Sequence, residues 1–331
     1  IPKTGAFGLL DLVGLDLMPH VLSSLQGALP KEDPFHAIHR EPELLTRMIK
    51  DGYTGRKGKG GFYRLNPESK DKTKQALDLK SGEYYDAKRP KSAGVKAARK
   101  GGPRALMEYD DKAGRYAWRV MSKTLSYAAG LIPEIADDPA SVDEAMRLGY
   151  NWKYGPFELI DRLGPAWFAA KLRAESAEVP AYLDSVGAGN FYHAISGTLH
   201  QFTPSKAYIP VERPAGVLLL QDIKRRSKPV ARNRSASLWD IGDGVACLEF
   251  HSKLNSLNPF SLFMVNKAVK IVQRDFKALV IYNEGSQFSA GANIGLQMIV
   301  GYLRAWFLVE PLLTTGQNAY QRLKFAPFPV V

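Results

Sequence analysis

The sequence holds a single cysteine, Cys247, in 331 residues. A lone thiol excludes a disulfide framework and any cysteine-based zinc site, and it suits a reducing compartment. The opening IPKTGAFGLL has neither the basic n-region nor the cleavage site of a secretory leader. It also lacks a methionine, so Ile1 is not expected to be the natural start. Long apolar runs are missing too. The nearest, IGLQMIVGYLRAWFLV (294–309), stops at 16 residues and contains Arg304; a span needs about 20, and an arginine at a bilayer centre costs about 2.5–3.5 kcal/mol. This stretch is expected as a buried helix, and no membrane span is expected. A chain of this kind is expected in the cytoplasm.

Several motifs are absent. No G-x-G-x-x-G follows a strand-like run, so there is no dinucleotide fingerprint. No G-x-S-x-G elbow occurs. GRKGKGG (55–61) fails the phosphate-loop spacing and has no apolar strand before it. His36 and His39 lie three apart without a third ligand, so no metal is expected. Acid is missing from two stretches of this chain of net charge +12: residues 88–104 carry seven positive charges and residues 224–234 carry six. No nucleic-acid-binding motif accompanies them, so a solvated loop and a linker are expected, with no nucleic-acid partner.

What is present begins with a repeat. GAFGLLDLVG (5–14) and GPFELIDRLG (155–164) share Gly, Phe, Leu, Asp and Gly at identical spacing, offset by 150 residues throughout. Pro156 suits a first helical position, and Phe157, Ile160 and Leu163 fall on one helical face. Upstream of the second copy, residues 114–135 read as a helix ending at Pro133. Asp138 then caps a helix with Pro139 at its first position and an apolar stripe of Val142, Ala145 and Met146. If the repeat is real, the first copy's counterpart of that upstream part would precede Ile1. Downstream, residues 42–65 and 180–197 each read as a helix, a Gly-rich turn and a Phe-Tyr pair.

A new pattern starts at Ser237. SLWDIGDGVACLEF reads as a hairpin around Gly-Asp-Gly. Asn258 caps a helix with the stripe Leu262, Val265, Val269, Val272 and Phe276. ALVIY (278–282) is a buried strand, FSAGANIG (288–295) a small-residue turn after it, and PFPVV the start of a further strand. Strand–helix–strand order implies a parallel sheet.

PKTGAFGLLDLVGLD, TGRKGKGGFY and SVDEAMRLGYNWKYGPFELIDRLG resemble the C-terminal domain of 3-hydroxyacyl-CoA dehydrogenases, which is often duplicated in multifunctional β-oxidation enzymes. SLWDIGDGVACLEFHSKLNSLN and ALVIYNEGSQFSAGANI resemble the first half of an enoyl-CoA hydratase (crotonase) domain. The resemblance implies mainly α-helical dehydrogenase repeats followed by a partial α/β crotonase-like domain. The expected segments are 1–110, a remnant of the first repeat plus a basic loop; 111–199, the second repeat; 200–236, a basic linker; and 237–331, the half-crotonase. The order, dehydrogenase before hydratase, resembles a bacterial fusion.

The implied function is that of a bifunctional enzyme. It would oxidise 3-hydroxyacyl-CoA with NAD, held by a domain absent here, and hydrate enoyl-CoA, with acyl-CoA as substrate and a homo-oligomer as the assembly. Crotonase chemistry forms an enolate from a thioester and needs backbone donors for the oxyanion. By resemblance, Ala292 gives one such N–H. Lys253, Asn255, Ser256, Leu257, Ala290, Gly291, Asn293 and Ile294 would line the CoA, with Lys253 on a phosphate. After Ile294 the only acid is Glu310, whereas hydration wants two carboxylates around one water. The chain by itself is therefore expected to lack both activities. The alternative is a non-catalytic acyl-CoA-binding or scaffold protein.

Overall fold

The structure is a computed structural model that describes residues 5–88, 91–285 and 287–331, with only the backbone of Ile294, Leu296, Gln297, Ile299, Leu308 and Leu312. Two compact units emerge, residues 1–193 with 200–209 and residues 194–199 with 210–331.

In the first unit the repeat has a structural cause. Copy one runs α1 (Gly5–Val13), α2 (Met18–Ala28), α3 (Pro34–Ile38), α4 (Glu43–Lys50), then a three-stranded sheet of β1 (Tyr63–Leu65), β2 (Lys74–Leu77) and β3 (Tyr84–Asp86). The Asp11 carboxylate near the end of α1 accepts hydrogen bonds from the N–H groups of Phe62 (2.7 Å) and Tyr63 (2.8 Å). After the intervening α5 (Ala93–Met107), copy two runs α6 (Lys112–Gly130), α7 (Pro139–Tyr150), α8 (Pro156–Leu163), α9 (Pro165–Ala174), α10 (Ala181–Val186), β4 (Tyr192–Ile195), β5 (Thr198–Phe202) and β6 (Tyr208–Pro210). There Asp161 accepts from Phe191 N–H (2.7 Å) and Tyr192 N–H (2.9 Å). Each repeated aspartate thus clamps its helix to the Phe-Tyr pair that opens the following strand. The repeated phenylalanines meet the same pairs: Phe7 on Phe62 at 4.4 Å and Phe157 on Phe191 at 4.8 Å between ring centres. Gly14 and Gly164 both sit at positive φ, 115° and 90°, where a side chain would strain the helix exit.

The Gly-rich turn 55–61 serves this clamp. Gly55 N–H donates to Gly60 O at 2.8 Å, and Arg56 N–H to Asp11 O at 2.8 Å. A Cβ on Gly61 would stand 2.0 Å from Asp11 Oδ1. Gly61→Ala is therefore expected to break the clamp and cost about 2–3 kcal/mol, read as a lower urea midpoint at an unchanged m-value.

Copy two holds the larger core. Phe157, Ile160 and Leu163 of α8 are buried as expected, together with Trp118, Leu125, Phe168, Leu183 and Phe191. Copy one buries Leu15, Met48 and Leu77, and its Phe7 is 38% exposed where Phe157 is fully covered.

Two expectations need correction in this unit. Most of the basic run 88–104 is not a loop: residues 93–107 form α5, capped by Ser92 Oγ accepting from Val95 N–H at 3.0 Å, with a kink at Gly102. Alanine, lysine and arginine are good helix formers, so a dense cationic run folds once a cap starts it. Arg89 and Pro90 lie outside the described residues. In α7, Asp138 caps as expected, accepting from Ser141 N–H at 2.9 Å. The buried side chain of its middle turn, however, is Asp143, while Ala145 is exposed.

The second unit has α11 (Leu220–Arg226) and a four-stranded sheet in the order β10-β9-β8-β7, made of β7 (Ala231–Arg232), β8 (Ala236–Gly242), β9 (Val245–Phe250) and β10 (Ala278–Ile281). β8 and β9 form the expected hairpin, and β10 joins β9 in parallel after α12 (Pro259–Asp275). Asn258 Oδ1 caps α12, accepting from Phe260 N–H (2.9 Å) and Ser261 N–H (3.1 Å). Asn258→Ala is expected to cost about 1 kcal/mol, measured by the same titration. Residues 329–331 pair with β10: Leu279 N–H donates to Pro329 O and Ile281 N–H to Val331 O.

The basic segment 200–236 carries local structure, α11 overlapping its apolar run VLLLQDI. Leu220 and Ile223 of α11 pack with Trp239 and Cys247, Arg225 pairs with Asp222, and Lys224 with Glu249. Residues 294–309 are not a buried helix. They split into α13 (Ile294–Tyr302) and a short turn of 3-10 helix before α14 (Val309–Lys324), with Arg304 at positive φ between them. Val300 is buried, but Tyr302 is 90% and Trp306 64% exposed. Among the described residues no single helix is long and apolar enough to cross a membrane.

Candidate functional site

The strand β10 delivers the chain to FSAGANIG, and backbone bonds stitch this turn to residues 254–257. Leu257 N–H donates to Gly291 O at 2.8 Å, Asn293 N–H to Leu257 O at 2.9 Å, and Ala290 N–H to Leu254 O at 3.1 Å. The pattern is a single parallel bridge between Leu257 and Ala292. Such a bridge engages the groups on either side of Ala292 and leaves its own N–H facing the opposite way. The Ala292 N–H has no hydrogen-bond partner among the described residues, and Ala292 is exposed. Gly291 sits at φ 77° with open space where its Cβ would be, so a ligand can approach the backbone there.

Side chains hold the turn in shape. Ser289 Oγ donates to Asn255 O at 2.8 Å and accepts from Gly291 N–H at 3.1 Å. Asn255 Nδ2 donates to Gln287 O at 3.0 Å, and Gln287 Nε2 to Leu254 O at 3.2 Å. Buried Asn283, at the exit of β10, accepts from Phe250 N–H and donates to Phe288 O. Leu254 and Asn255 both adopt positive φ, 59° and 50°, a local strain of order 1–3 kcal/mol that a packed surrounding must offset.

The structure therefore brings Asn255, Ser256 and Leu257 against Ala290, Gly291, Ala292 and Asn293. Ser256 is buried and its carbonyl accepts from Ser252 Oγ. Lys253 lies on the adjoining turn, exposed and without an ion-pair partner among the described residues. The Ile294 side chain lies outside the described residues. Glu284, the acid nearest the turn in sequence, is already engaged by Gln221 N–H at 3.0 Å and by Lys224 at 3.8 Å. Sequence reading missed the supports Ser289, Gln287 and Asn283. A polar residue at a strand exit is the signal that could have marked Asn283. It also missed Ser237, whose hydroxyl lies 3.0 Å from His251 Nε2.

The duplicated helix-and-hairpin unit with its aspartate clamp defines the class: a duplicated helical domain followed by an α/β unit. Residues 2–65 and 114–210 match the model of the family described as "3-hydroxyacyl-CoA dehydrogenase, C-terminal domain". A "Probable 3-hydroxyacyl-CoA dehydrogenase" of Bacillus subtilis is 33% identical over 338 residues, covering all of this chain and 42% of that protein. A "Putative fatty acid oxidation complex trifunctional enzyme" of Rickettsia felis is 29% identical over 334 residues, with the same coverage of each. The chain thus spans less than half the length of these relatives. Among solved structures, an enoyl-CoA hydratase/isomerase from Xanthobacter autotrophicus Py2 aligns over 30% of this chain and 38% of its own, at 24% identity and TM-score 0.27.

Proposed function

We propose that this chain is part of a bifunctional fatty-acid β-oxidation enzyme that oxidises 3-hydroxyacyl-CoA with NAD and hydrates enoyl-CoA. The Ala292 N–H, unpartnered among the described residues between an engaged Gly291 O and an engaged Asn293 N–H, supports the hydratase half most directly. A thioester oxygen placed against it gains a fixed donor as negative charge develops, a stabilisation that water would have to reorganise to provide. Lys253 offers a cation for a CoA phosphate one turn away, and homo-oligomeric assembly belongs to the same reading.

The described residues do not fit NAD. Their β–α–β crossover, β9–α12–β10, lacks the Gly-rich turn, and the Asn258 side chain already takes the first N–H groups of α12 that a pyrophosphate would need. NAD binding and hydride transfer are assigned to the whole protein. Hydration also needs carboxylates, and Glu284 is committed elsewhere. The 331-residue chain alone is expected to turn over neither crotonyl-CoA nor acetoacetyl-CoA. The test pairs an assay of the purified chain with the intact mass of the native protein in its source cell. Turnover by the chain would overturn the division of labour. A native mass of 36.6 kDa would overturn the parent enzyme and favour acyl-CoA holding without chemistry.

A further inference from the structure

A groove of about 490 Å³ runs along the outer face of copy two between α6 and the end of α9. Its volume falls in the range of small-molecule sites. One wall is the cationic face of α6, with Arg115, Arg119 and Lys123 at four-residue spacing, which places successive charges about 6 Å apart along the axis. Arg115 is held by Asp110 at 2.5 Å, whereas Arg119 and Lys123 have no ion-pair partner among the described residues. Trp118 and Leu172 supply apolar surface, and Glu175 and Glu178 line the other wall. Lys171 lies 4.8 Å from the centre of the Trp118 ring, adding a further cation beside the groove.

Two lining groups are unsatisfied. The Trp118 indole N–H and the Ser126 hydroxyl are buried without a hydrogen-bond partner among the described residues. Each such group costs about 1–3 kcal/mol, and an acceptor that reached either one would relieve that cost. The division of charge sets the ligand. Anionic oxygens belong on α6, and a group that donates hydrogen bonds belongs toward Glu175 and Glu178. We infer that this groove binds a nucleoside diphosphate, its phosphates on Arg119 and Lys123 and its base amine toward the two glutamates. The inference is independent of the turn at Ala292 and of the activity proposed above.

The experiment is calorimetric titration of the 331-residue chain with ADP, alongside Arg119→Ala/Lys123→Ala, Ser126→Ala and Lys253→Ala. Two charge-assisted contacts are lost in the double variant, so binding is expected to weaken about 10–100-fold. Ser126→Ala is expected to weaken it several-fold without lowering the melting temperature, because it removes an unpartnered buried hydroxyl. Lys253→Ala should leave affinity unchanged. Absence of binding at millimolar ADP overturns the proposal. So does loss in Lys253→Ala with retention in the double variant, which would move the anion to the turn in the second unit. Pyrophosphate binding as tightly as ADP would overturn the role of the base and of the two glutamates.

Discussion

Replacing Asp143 with alanine is expected to lower the unfolding free energy of the first unit by about 3–5 kcal/mol. Its carboxylate has no solvent exposure. It accepts from Phe157 N–H at 2.8 Å, Glu158 N–H at 2.9 Å and the Tyr192 hydroxyl at 2.9 Å. The first two are N-terminal donors of α8, which would otherwise point into protein without a partner. Beside them, Glu158 accepts from Gly155 N–H and pairs with Arg147 at 2.6 Å. Truncation leaves three donors unsatisfied and a void against Gly155, whose Cα approaches this aspartate so closely that a Cβ there would sit 2.3 Å from its carboxyl carbon. Tyr192→Phe removes one donor and is expected to cost about 1 kcal/mol. Equal, small losses in both variants would refute the account.

The same residue makes stability depend on pH. Burial pushes Asp143 up to about 7 and Asp161 up to about 6, against an ordinary value of 3.8. A carboxyl raised on folding binds more protons in the native state than in the unfolded chain between those values. Its stabilising contribution is complete below 3.8 and is lost as pH rises through 6 to 7. Urea midpoints are therefore expected to fall from pH 5 to pH 8, with a shallower fall in Asp143→Asn. A rise over that window would reverse the sign.

Sequence alone made the repeat visible, and the structure explains why those five positions recur. Phe7 and Phe157 meet equivalent aromatic partners, and Asp11 and Asp161 clamp equivalent strand starts. The hairpin at Gly242–Gly244 and the Asn258 cap were legible because turn and cap chemistry is local. Asp143 was not, since an acid beside apolar residues on a short helix reads as solvent-facing; its partners lie 14 to 49 residues away. The run 294–309 was misread for the complementary reason. Apolar composition reports what a segment would gain by being covered, not whether a neighbour covers it. Nor does charge density separate a loop from a helix, as α5 shows once Ser92 caps it.

On the proposed function, Ala292→Pro in the whole protein is expected to lower hydration of crotonyl-CoA by about 100- to 1000-fold, the usual effect of deleting one oxyanion donor. Proline removes the N–H and puts its ring Cδ where the amide hydrogen was. The Ala292 N–H makes no hydrogen bond among the described residues, and Ala292 is absent from the residues with positive φ. The bridge bonds at Gly291 O and Asn293 N–H remain available, so the melting temperature is expected to change little. On the proposed function, oxidation of 3-hydroxyacyl-CoA by the whole protein does not use this turn and should keep its rate. This split distinguishes a reacting donor from a merely structural turn. If the turn were structural, proline would change both activities together through folding, or neither. A variant with full hydratase activity would remove Ala292 from the chemistry and leave the FSAGANIG segment as a strand exit held by Ser289 and Asn283.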